Sequence, residues 1–432
     1  MPFSTTDGPG IAVLGAGIAG LTFAAFARRA GLACTVYEQA TTLGEVGAGI
    51  QLAPNAERLL GRLDLATALA AVAVAPDALE MRQWRDGALI GRTRLGRSCV
   101  DRFGAGYYTL HRADLHRSLV AAAGGAGTVA LGRRCVELVE RPDAVELRFA
   151  DGTRARAGLV IGADGIRSVV RRALADDEPR YSGTTVYRGL IRTGSPVRPR
   201  VAIWLGPGQH CVWYPVSGGA QVSFAAVVRD PDGADPGRRI ESWRTPADPA
   251  DLRRAFAGWH PDVVTMLARA ESVTRWALHD RAPLASWHSD RLVVIGDAAH
   301  PMLPFGAHGA NQAIESAVTL ATVLSGWSGG DRAGALAAYQ RVRFDRLIQI
   351  SATVVRNHQD HHLADGARQR WRDRALATGL RLSEQDWLYG YDAQATARAE
   401  LATVPAAVPG AGNGKAAFSG GGGSRPATAP GS

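Results

Sequence analysis

Three glycines near the start of the chain have the spacing of a phosphate-binding turn. Residues 15–20 read GAGIAG, directly after the apolar run 11–14 and before an alanine-rich stretch. In a strand–turn–helix unit, Gly15 permits the tight turn, Gly17 lets the backbone approach a pyrophosphate, and Gly20 lets helix and strand pack together. The helix N-terminus would then face the phosphates. The pattern predicts a dinucleotide site lined by Gly15, Ala16, Gly17, Ala19 and Gly20.

An acidic residue completes this pattern. Glu38 ends a second apolar run, 35–37, at the distance from the glycines expected of a carboxylate that accepts hydrogen bonds from a ribose. A purely structural glycine turn would leave this acid unexplained, although an acid at a strand end is also commonly a solvated residue. Together these features predict a bound dinucleotide, but they do not separate FAD from NAD(P).

Two further segments place an aspartate after an apolar strand and before a turn. Residues 162–168 read GADGIRS and contain Asp164, and residues 291–304 read RLVVIGDAAHPMLP and contain Asp297. With the glycine turn, in this order, they resemble the three nucleotide-binding motifs of the class A FAD-dependent aromatic hydroxylases, the superfamily of para-hydroxybenzoate hydroxylase. Within that superfamily, roughly residues 10–395 resemble salicylate hydroxylase, 3-hydroxybenzoate 6-hydroxylase and 6-hydroxynicotinate 3-monooxygenase.

The resemblance implies a bound FAD and a transient co-substrate, NADH or NADPH. Members of this family reduce FAD with NAD(P)H, add O2 to form a flavin C4a-hydroperoxide, and present an electron-rich ring to its terminal oxygen. We therefore expect hydroxylation of a small phenolic or hydroxylated N-heteroaromatic substrate that bears a carboxylate, without a metal. The sequence contains no second glycine fingerprint, which agrees with transient binding of the nicotinamide cofactor in a surface cleft.

Several residues are then expected to hold FAD. Asp297 would accept a hydrogen bond from the ribityl hydroxyls, although aspartate is also a good helix N-cap. Asp164 either contacts the cofactor or only caps a helix. A helix beginning at 309–311 would stabilise negative charge on the reduced flavin near N1 and O2. With an R-x-x-L arginine and a glycine loop assigned by the resemblance, the expected set is Gly49, Ile50, Arg112, Asp164, Asp297, Gly309, Ala310 and Asn311.

The resemblance also assigns three residues to the substrate side. Gln51 follows the glycine loop that begins at Gly47 and would face the substrate cavity. Pro304 would shape the cavity on the flavin's face. Arg188, in the segment VYRGL, would contact either the flavin or an anionic substrate.

A proton acceptor is expected beside the substrate, because a phenolate is a better nucleophile than a phenol. Histidine titrates near neutral pH and suits this role. His210 and Tyr214 are four residues apart, so on a strand both side chains lie on one face and could enter one cavity, with Cys211 turned away into the core. The H-x-x-x-Y spacing also resembles substrate-contacting residues of the hydroxynicotinate and hydroxybenzoate hydroxylases. The alternative is a pair whose hydrogen bonds only join sheet and helix.

Two other histidines lie in or near the third motif. Residues 306–309 read GAHG where relatives often carry M-A-Q-G, which places His308 beside the expected flavin face as a rival base. Residues 315–317 read ESA where relatives often carry E-D-A. His300 is expected to hold its turn together rather than to do chemistry.

These motifs require an α/β fold in which distant segments form one sheet. Apolar runs at 11–14, 35–37, 159–162 and 292–295 predict buried parallel strands. Residues 184–276 alternate apolar and polar positions between Gly/Pro turns, as in an antiparallel sheet. We predict a Rossmann-like FAD-binding domain interleaved with an antiparallel-sheet substrate domain, followed by C-terminal helices. The parts are residues 1–183 and 281–400 for FAD and the helices, 184–280 for substrate, and a disordered tail, 401–432.

Composition narrows the partners and the location. The 432 residues are 46% hydrophobic and carry a formal net charge of +9. Because the positive charge comes almost entirely from scattered arginines, with Lys415 the only lysine, we expect no nucleic-acid partner. Four widely spaced cysteines, the absence of a secretory leader and the lack of a long apolar window predict a cytoplasmic protein without a disulfide framework, a metal site or a membrane span. We expect a monomer or a homodimer.

Other functions are compatible with part of this sequence. A natural-product tailoring hydroxylase acting on a larger aromatic would carry the same motifs. A non-catalytic flavoprotein that sequesters an aromatic would not need a candidate base such as His210. A flavin halogenase would need a W-x-W-x-I-P segment, which the chain lacks. Aromatic hydroxylation explains the three cofactor motifs and the candidate base together.

Overall fold

The computed structural model describes residues 10–44, 48–195, 197–230, 246–328, 331–379 and 381–404. Gly47 of the predicted flavin loop, Lys415 and most of the predicted tail, 405–432, lie outside the described residues. None of the helices in the described ranges contains an apolar stretch that could span a lipid bilayer.

The described residues form strands that assemble into four sheets, and helices that cover them. The strands are β1 (Ile11–Leu14), β2 (Cys34–Tyr37), β3 (Gly49–Leu52), β4 (Ala78–Gln83), β5 (Leu89–Arg94), β6 (Tyr108–His111), β7 (Val129–Ala130), β8 (Cys135–Glu140), β9 (Val145–Phe149), β10 (Arg154–Ala157), β11 (Leu159–Gly162), β12 (Arg180–Arg192), β13 (Arg200–Gly206), β14 (Gln209–Val216), β15 (Gln221–Arg229), β16 (Pro246–Ala247), β17 (Val273–Asp280) and β18 (Leu292–Val294). The α-helices are α1 (Ile18–Arg29), α2 (Pro54–Gly61), α3 (Ala66–Ala70), α4 (Gly96–Phe103), α5 (Arg112–Ala122), α6 (Val169–Leu174), α7 (Pro249–Ala255), α8 (Pro261–Ala268), α9 (Gly309–Gly326), α10 (Arg332–His361), α11 (Ala367–Gly379), α12 (Asp386–Tyr389) and α13 (Ala393–Ala402).

A five-stranded parallel sheet carries the nucleotide motifs. Its strand order is β18-β11-β1-β2-β7, and every neighbouring pair is parallel. The strands β1, β11 and β18 are buried almost throughout. Their continuous apolar sequences follow from this, since helices cover both faces of a parallel sheet. The prediction that distant segments form one sheet is confirmed.

The second large sheet has eight strands, in the order β16-β17-β12-β15-β14-β13-β4-β5. Its central pairs are antiparallel, as predicted for residues 184–276. The strands β4 and β5 were not predicted for this sheet, because they come from the segment assigned to the FAD-binding part. The strand β4 pairs in parallel with β13. Parallel partners are far apart along the chain, so the alternation within one segment does not reveal such a pair.

Long helices in the second half of the chain cover the parallel sheet. The helix predicted to begin at 309–311 is α9, which is buried along most of its length and packs against α1, α10 and α13. Two of the predicted C-terminal helices are α10 and α11. The last helix, α13, continues to Ala402, two residues into the segment predicted as a tail.

A buried carboxylate joins these helices. Glu315, in α9, is fully buried and pairs with Arg343 at 2.5 Å and Arg346 at 2.7 Å, both in α10. The Oε1 atom of Glu315 also accepts a hydrogen bond from Asn55 in α2 at 2.6 Å. Arg346 in turn donates to the carbonyl oxygen of Trp387 at 2.8 Å. One carboxylate therefore fixes α9 relative to α2, α10 and the C-terminal segment.

The charge of Glu315 depends on its two arginines. Desolvation raises the pKa of its carboxyl group, but Arg343 and Arg346 outweigh this effect and hold the pKa at about 2. A glutamate in an unfolded chain titrates near a pKa of about 4.3. The stabilisation from this carboxylate is therefore present above about pH 4.3 and is lost as the pH falls toward about 2.

We predict that Glu315→Gln lowers the free energy of unfolding by about 3–5 kcal/mol, because two buried arginines lose their counter-ion. The matched control is Glu400→Gln, which removes the carboxylate partner of the more exposed Arg341. This control should lower stability by less than about 1 kcal/mol. Denaturant unfolding at pH 7 measures both values, and equal losses in the two variants would contradict the account.

Candidate active site

The glycine turn packs on the second motif. Gly15 has a φ of +104°, and a Cβ atom there would lie 2.4 Å from the carbonyl oxygen of Ala163. A Cβ atom at Gly20 would lie 2.0 Å from the carbonyl oxygen of Gly15, so both positions require glycine. At Gly17, by contrast, a Cβ atom would meet no described atom within 4 Å. Open space therefore lies in front of the first turn of α1, where Ala19 is buried.

The carboxylate of Glu38 lies against the same turn. Its Oε2 accepts a hydrogen bond from the backbone N–H of Ala16 at 2.8 Å, and its Oε1 accepts one from the backbone N–H of Ala40 at 2.8 Å. This is the place where a ribose lies next to a pyrophosphate in a dinucleotide-binding fold. The two bonds also give Glu38 a structural role, holding the turn, that the sequence analysis did not predict.

Arg112 and Asp297 are close enough that the charge of each shifts the pKa of the other. Desolvation lowers the pKa of Arg112 and raises that of Asp297, and in each case the charge of the partner acts in the opposite direction. The side chain of Asp297 is exposed to solvent, yet enough protein surrounds it to desolvate its carboxylate. A residue on the wall of a deep cleft has this combination. Its carboxylate can accept hydrogen bonds from ligand hydroxyl groups.

Asp164 caps α6 with one oxygen only. Its Oδ2 accepts a hydrogen bond from the backbone N–H of Val169 at 2.7 Å. Its Oδ1 is buried and has no hydrogen-bond partner among the described residues. An unpaired buried oxygen is energetically costly, so a ligand that brought a donor there would be favoured. This orphan oxygen, the cleft at Asp297 and the space before Gly17 fit an FAD bound along the carboxyl edge of the parallel sheet.

Hydrogen bonds connect the predicted flavin loop to the start of α9. Gly49 and Ile50 lie in β3, which pairs with β6. The side chain of Asn311 accepts a hydrogen bond from the backbone N–H of Ala53 at 3.0 Å and donates to the carbonyl oxygen of Gln51 at 3.1 Å. Because the side-chain amide of Asn311 is already hydrogen-bonded to backbone groups, we expect main-chain N–H groups at the start of α9 to contact the cofactor instead.

The first turn of α9 faces open space. A Cβ atom at Gly309 would meet no described atom within 4 Å, and the neighbouring Ala310 is only partly buried. The side chain of Asn311 also donates to the carbonyl oxygen of Ala307 at 2.8 Å, which fixes the turn before the helix. The free amides of a helix N-terminus attract negative charge, as the sequence analysis expected at this position.

The strand β3 also touches the second sheet at Tyr214. A Cβ atom at Gly49 would lie 2.5 Å from the ring of Tyr214, and the backbone N–H of Gly49 donates to the hydroxyl of Ser223 at 2.8 Å. Tyr107 donates its hydroxyl to Oε1 of Gln51 at 2.7 Å. Desolvation raises the pKa of Tyr214, while hydrogen bonding with Ser223 and Gln51 acts in the opposite direction. Gln51 and Tyr214 therefore share one network.

Arg188 places a positive charge near Tyr214. Its guanidinium lies 4.5 Å from the ring centroid of Trp276, and its Nε is buried with no hydrogen-bond partner among the described residues. Desolvation lowers the pKa of Arg188 to about 10, with Tyr214 and Arg112 as its charged or titratable neighbours. The side chain is still cationic at neutral pH, so an anionic group is the natural partner for it.

His210 lies on the same face of β14 as Tyr214 but in different surroundings. It is 5% exposed, its ring lies 5.5 Å from that of Phe305, and its Nδ1 lies 2.8 Å from Nε2 of His362. Four residues of strand span about 13 Å, so the structure does not bring His210 and Tyr214 into contact. Cys211 packs in the core on the opposite face, as predicted.

The charge state of His210 follows from its burial. Desolvation, with smaller effects from His362, His361 and His358, lowers the pKa of His210 well below its usual value. The imidazole is therefore neutral at pH 7. Pro304, predicted to shape the cavity, directly precedes the Phe305 ring that packs on His210.

Two further histidines, His300 in the third motif and His308 near it, are also neutral at pH 7. Desolvation, followed by the charge of Arg346, lowers the pKa of His308 to about 4. His308 is buried and packs on Gly306, where a Cβ atom would lie 2.6 Å from its Nε2. The Nε2 of His300 lies 2.9 Å from Oγ of Ser316, in α9. This contact supports the turn-holding role expected of His300.

Four residues at this site were missed from the sequence. Tyr107 and Ser223 belong to no motif, and their roles depend on the pairing of strands far apart in the chain. His361 and His362 lie in the segment HQDHH, residues 358–362, and this density of histidine was the one available signal. Its position opposite β14 could not be read from the helix alone.

Residues 10–352 match the protein family described as FAD binding domain. The chain belongs to this family. It is 48% identical over 397 residues to a 3-amino-4-hydroxybenzoate 2-monooxygenase of Streptomyces platensis, covering 91% of this chain and 98% of the relative. It is 35% identical to a 6-hydroxynicotinate 3-monooxygenase of Bordetella bronchiseptica, covering 90% and 96%. Its structure matches a salicylate hydroxylase substrate complex with a TM-score of 0.76 at 28% identity, covering 93% and 100%.

The enzyme is an FAD-dependent aromatic monooxygenase that uses NAD(P)H. The relatives cover nearly its whole length, and the three motifs lie within the residues that match the FAD-binding family. The class predicted from the sequence and the α/β fold that goes with it are both confirmed. The non-catalytic flavoprotein considered as an alternative is not favoured.

We predict that Glu38→Ala weakens FAD binding by about 10- to 100-fold, because the variant loses a charged acceptor for the ribose and two bonds that hold the turn. FAD affinity is measured by quenching of flavin fluorescence on titration into the deflavinated enzyme. The control is Glu146→Ala, which removes an exposed glutamate of β9 that pairs with Arg141. Equal FAD affinity in the two variants would contradict the assignment.

Proposed function

We propose that the enzyme hydroxylates an aminohydroxybenzoate, with 3-amino-4-hydroxybenzoate as the first candidate. The named relative with 48% identity acts on that compound, whereas the hydroxynicotinate enzyme is 35% identical. The structural observation that carries the proposal is Arg188, a cation whose buried Nε has no partner among the described residues. A benzoate carboxylate would supply the missing acceptor.

The FAD would be held by the residues already described. Glu38 and the glycine turn fit the ribose and pyrophosphate, while Asp297 and the first turn of α9 fit the ribityl chain and the flavin ring. A bound FAD would supply the redox chemistry and the activated oxygen, with NAD(P)H as the hydride donor. Arg112 balances the charge of Asp297 at this wall of the cleft.

The chain's own contribution is to orient the ring and to accept a proton. In 3-amino-4-hydroxybenzoate, carbon 2 is ortho to the amino group and meta to the hydroxyl, so the amino nitrogen supplies the electron density for attack at carbon 2. As the ring gains positive charge, an N–H proton becomes acidic and needs an acceptor. Neutral His210 is proposed as that acceptor, with Tyr214 and Gln51 as hydrogen-bonding groups that orient the ring.

His308 is proposed as a wall of the cavity rather than as the base. Both histidines are neutral at pH 7, but His308 packs on Gly306 at the start of α9, whereas His210 lies on the second sheet beside Phe305. Pro304 is proposed to close the same wall. A location in the cytoplasm and a monomeric or homodimeric state are proposed from the sequence.

The proposal is tested by the rate of NAD(P)H oxidation and by product formation with 3-amino-4-hydroxybenzoate, 4-hydroxybenzoate, 6-hydroxynicotinate and 3-hydroxybenzoate. We expect coupled turnover with the first compound and little with 4-hydroxybenzoate, because removal of the amino group removes the electron donation to carbon 2. Turnover of 4-hydroxybenzoate at an equal rate would overturn the proposed substrate class.

We predict that Arg188→Met raises the KM for the carboxylate substrate by about 10- to 100-fold, the effect of losing a charge-assisted hydrogen bond. The carboxamide analogue of the substrate is the matched control, since it carries no negative charge. The wild-type enzyme should prefer the acid, and the variant should bind acid and amide about equally. A variant that still preferred the acid to the same degree would exclude Arg188 as the carboxylate partner.

A further inference from the structure

Four imidazoles form a cluster between β14 and the end of α10. They are His210 on the strand and His358, His361 and His362 at the helix end. The ring of His210 lies 4.9 Å from that of His362 and 5.3 Å from that of His361. His358 stacks on Phe305 at 4.6 Å with an interplanar angle of 11°. Among the described residues, no group of three or more potential ligands is placed to hold a metal ion, so the cluster requires another explanation.

The tautomer of His362 is set by the backbone. Its Nδ1 lies 2.8 Å from the carbonyl oxygen of His358, one helical turn earlier. A carbonyl oxygen only accepts hydrogen bonds, so Nδ1 of His362 must carry the proton and donate. In the neutral ring, Nε2 of His362 then has a lone pair.

The tautomer of His210 follows from that of His362. Nε2 of His362 lies 2.8 Å from Nδ1 of His210. Two lone pairs would repel each other at this distance, so Nδ1 of His210 must carry the proton and donate to His362. The lone pair of His210 is then on Nε2. A chain of two hydrogen bonds thus runs from a backbone carbonyl to the proposed base.

The surroundings keep this chain neutral. Desolvation lowers the pKa of His362 to about 4 and that of His361 to about 3. The charged residues that act on the cluster are Arg229 in β15, Asp280 in β17 and Arg372 in α11, and the two arginines disfavour a further positive charge. Around neutral pH, the ring of His362 is therefore an acceptor toward His210.

We propose that His362 is a positioning residue for the hydroxylation: by accepting a hydrogen bond from Nδ1 of His210, it keeps the lone pair on Nε2 of His210 ready for the substrate's proton. The inference rests on the proposed function of His210. The substrate N–H bond breaks with its electron pair left on nitrogen, an N–H bond forms at Nε2 of His210, and the resulting imidazolium is stabilised by the lone pair of His362.

The tautomer is measured directly in the FAD-loaded, full-length enzyme by 15N NMR after labelling of its histidines. Protonated and bare imidazole nitrogens have well-separated shifts, and His210→Asn identifies the signals of His210. We expect a protonated Nδ1 and a bare Nε2 at pH 7. A bare Nδ1 with a protonated Nε2 would overturn the proposal, whichever compound proves to be the substrate.

Variants at 362 then test the consequence for catalysis. His362→Gln keeps an acceptor near the position of Nε2, whereas His362→Leu keeps the bulk and removes it. We expect His362→Leu to lower kcat for hydroxylation by about 10- to 100-fold with little change in KM, and His362→Gln to restore most of the rate. His288→Gln, a substitution of a histidine outside the cluster, should leave the rate unchanged.

The outcomes separate this inference from the proposed function. Equal rates for His362→Leu and His362→Gln, with both variants folded and loaded with FAD, would overturn the positioning role even if the tautomer is as expected. A wild-type enzyme that oxidises NAD(P)H but hydroxylates none of the aminohydroxybenzoates would overturn the proposed substrate, and the NMR result would still decide the tautomer.

Discussion

One buried carboxylate, Glu315, is the interaction on which the geometry of the site depends. It lies in the middle of α9 and binds two arginines of α10 and an asparagine of α2, so three elements share one charge network. The positions of these side chains are tightly constrained, because a charged group that lost its partner here would be left buried and unpaired. The first turn of α9, which is proposed to face the flavin, is therefore held at a fixed height above the parallel sheet.

From that fixed helix, polar contacts lead to the substrate side. Asn311 ties the start of α9 to β3, and β3 reaches Ser223 and Tyr214 on the second sheet through Gly49. The proposed cofactor side and the proposed substrate side are thus joined through a strand of four residues. Arg188 in β12 and His210 in β14 both lie on the second sheet, where one is proposed to offer positive charge and the other a neutral lone pair. The division suits a substrate with a carboxylate at one end and a proton to lose at the other.

The cofactor half of this site could be predicted from the sequence because its requirements are local. Positions 15 and 20 require glycine because backbone atoms a few residues away, or next to the following strand of the sheet, leave no room for a Cβ atom. Such requirements produce a glycine spacing that can be recognised in the sequence. The substrate half depends on pairings between distant segments, such as β4 with β13 and β14 with the end of α10. The H-x-x-x-Y spacing predicted a shared face for His210 and Tyr214, but it did not show that the two side chains have separate environments. The partner of His210 lies 152 residues away, and no local pattern indicates it.

Incorporation of 18O from labelled O2 measures directly whether the enzyme hydroxylates carbon 2 of 3-amino-4-hydroxybenzoate. The FAD-loaded enzyme is supplied with NAD(P)H and 3-amino-4-hydroxybenzoate, and the product is examined by mass spectrometry and NMR. We predict one 18O atom at carbon 2, between the carboxylate and the amino group, with one product formed for each NAD(P)H consumed. Consumption of NAD(P)H with release of labelled hydrogen peroxide alone, or 18O at a different ring carbon, would contradict it.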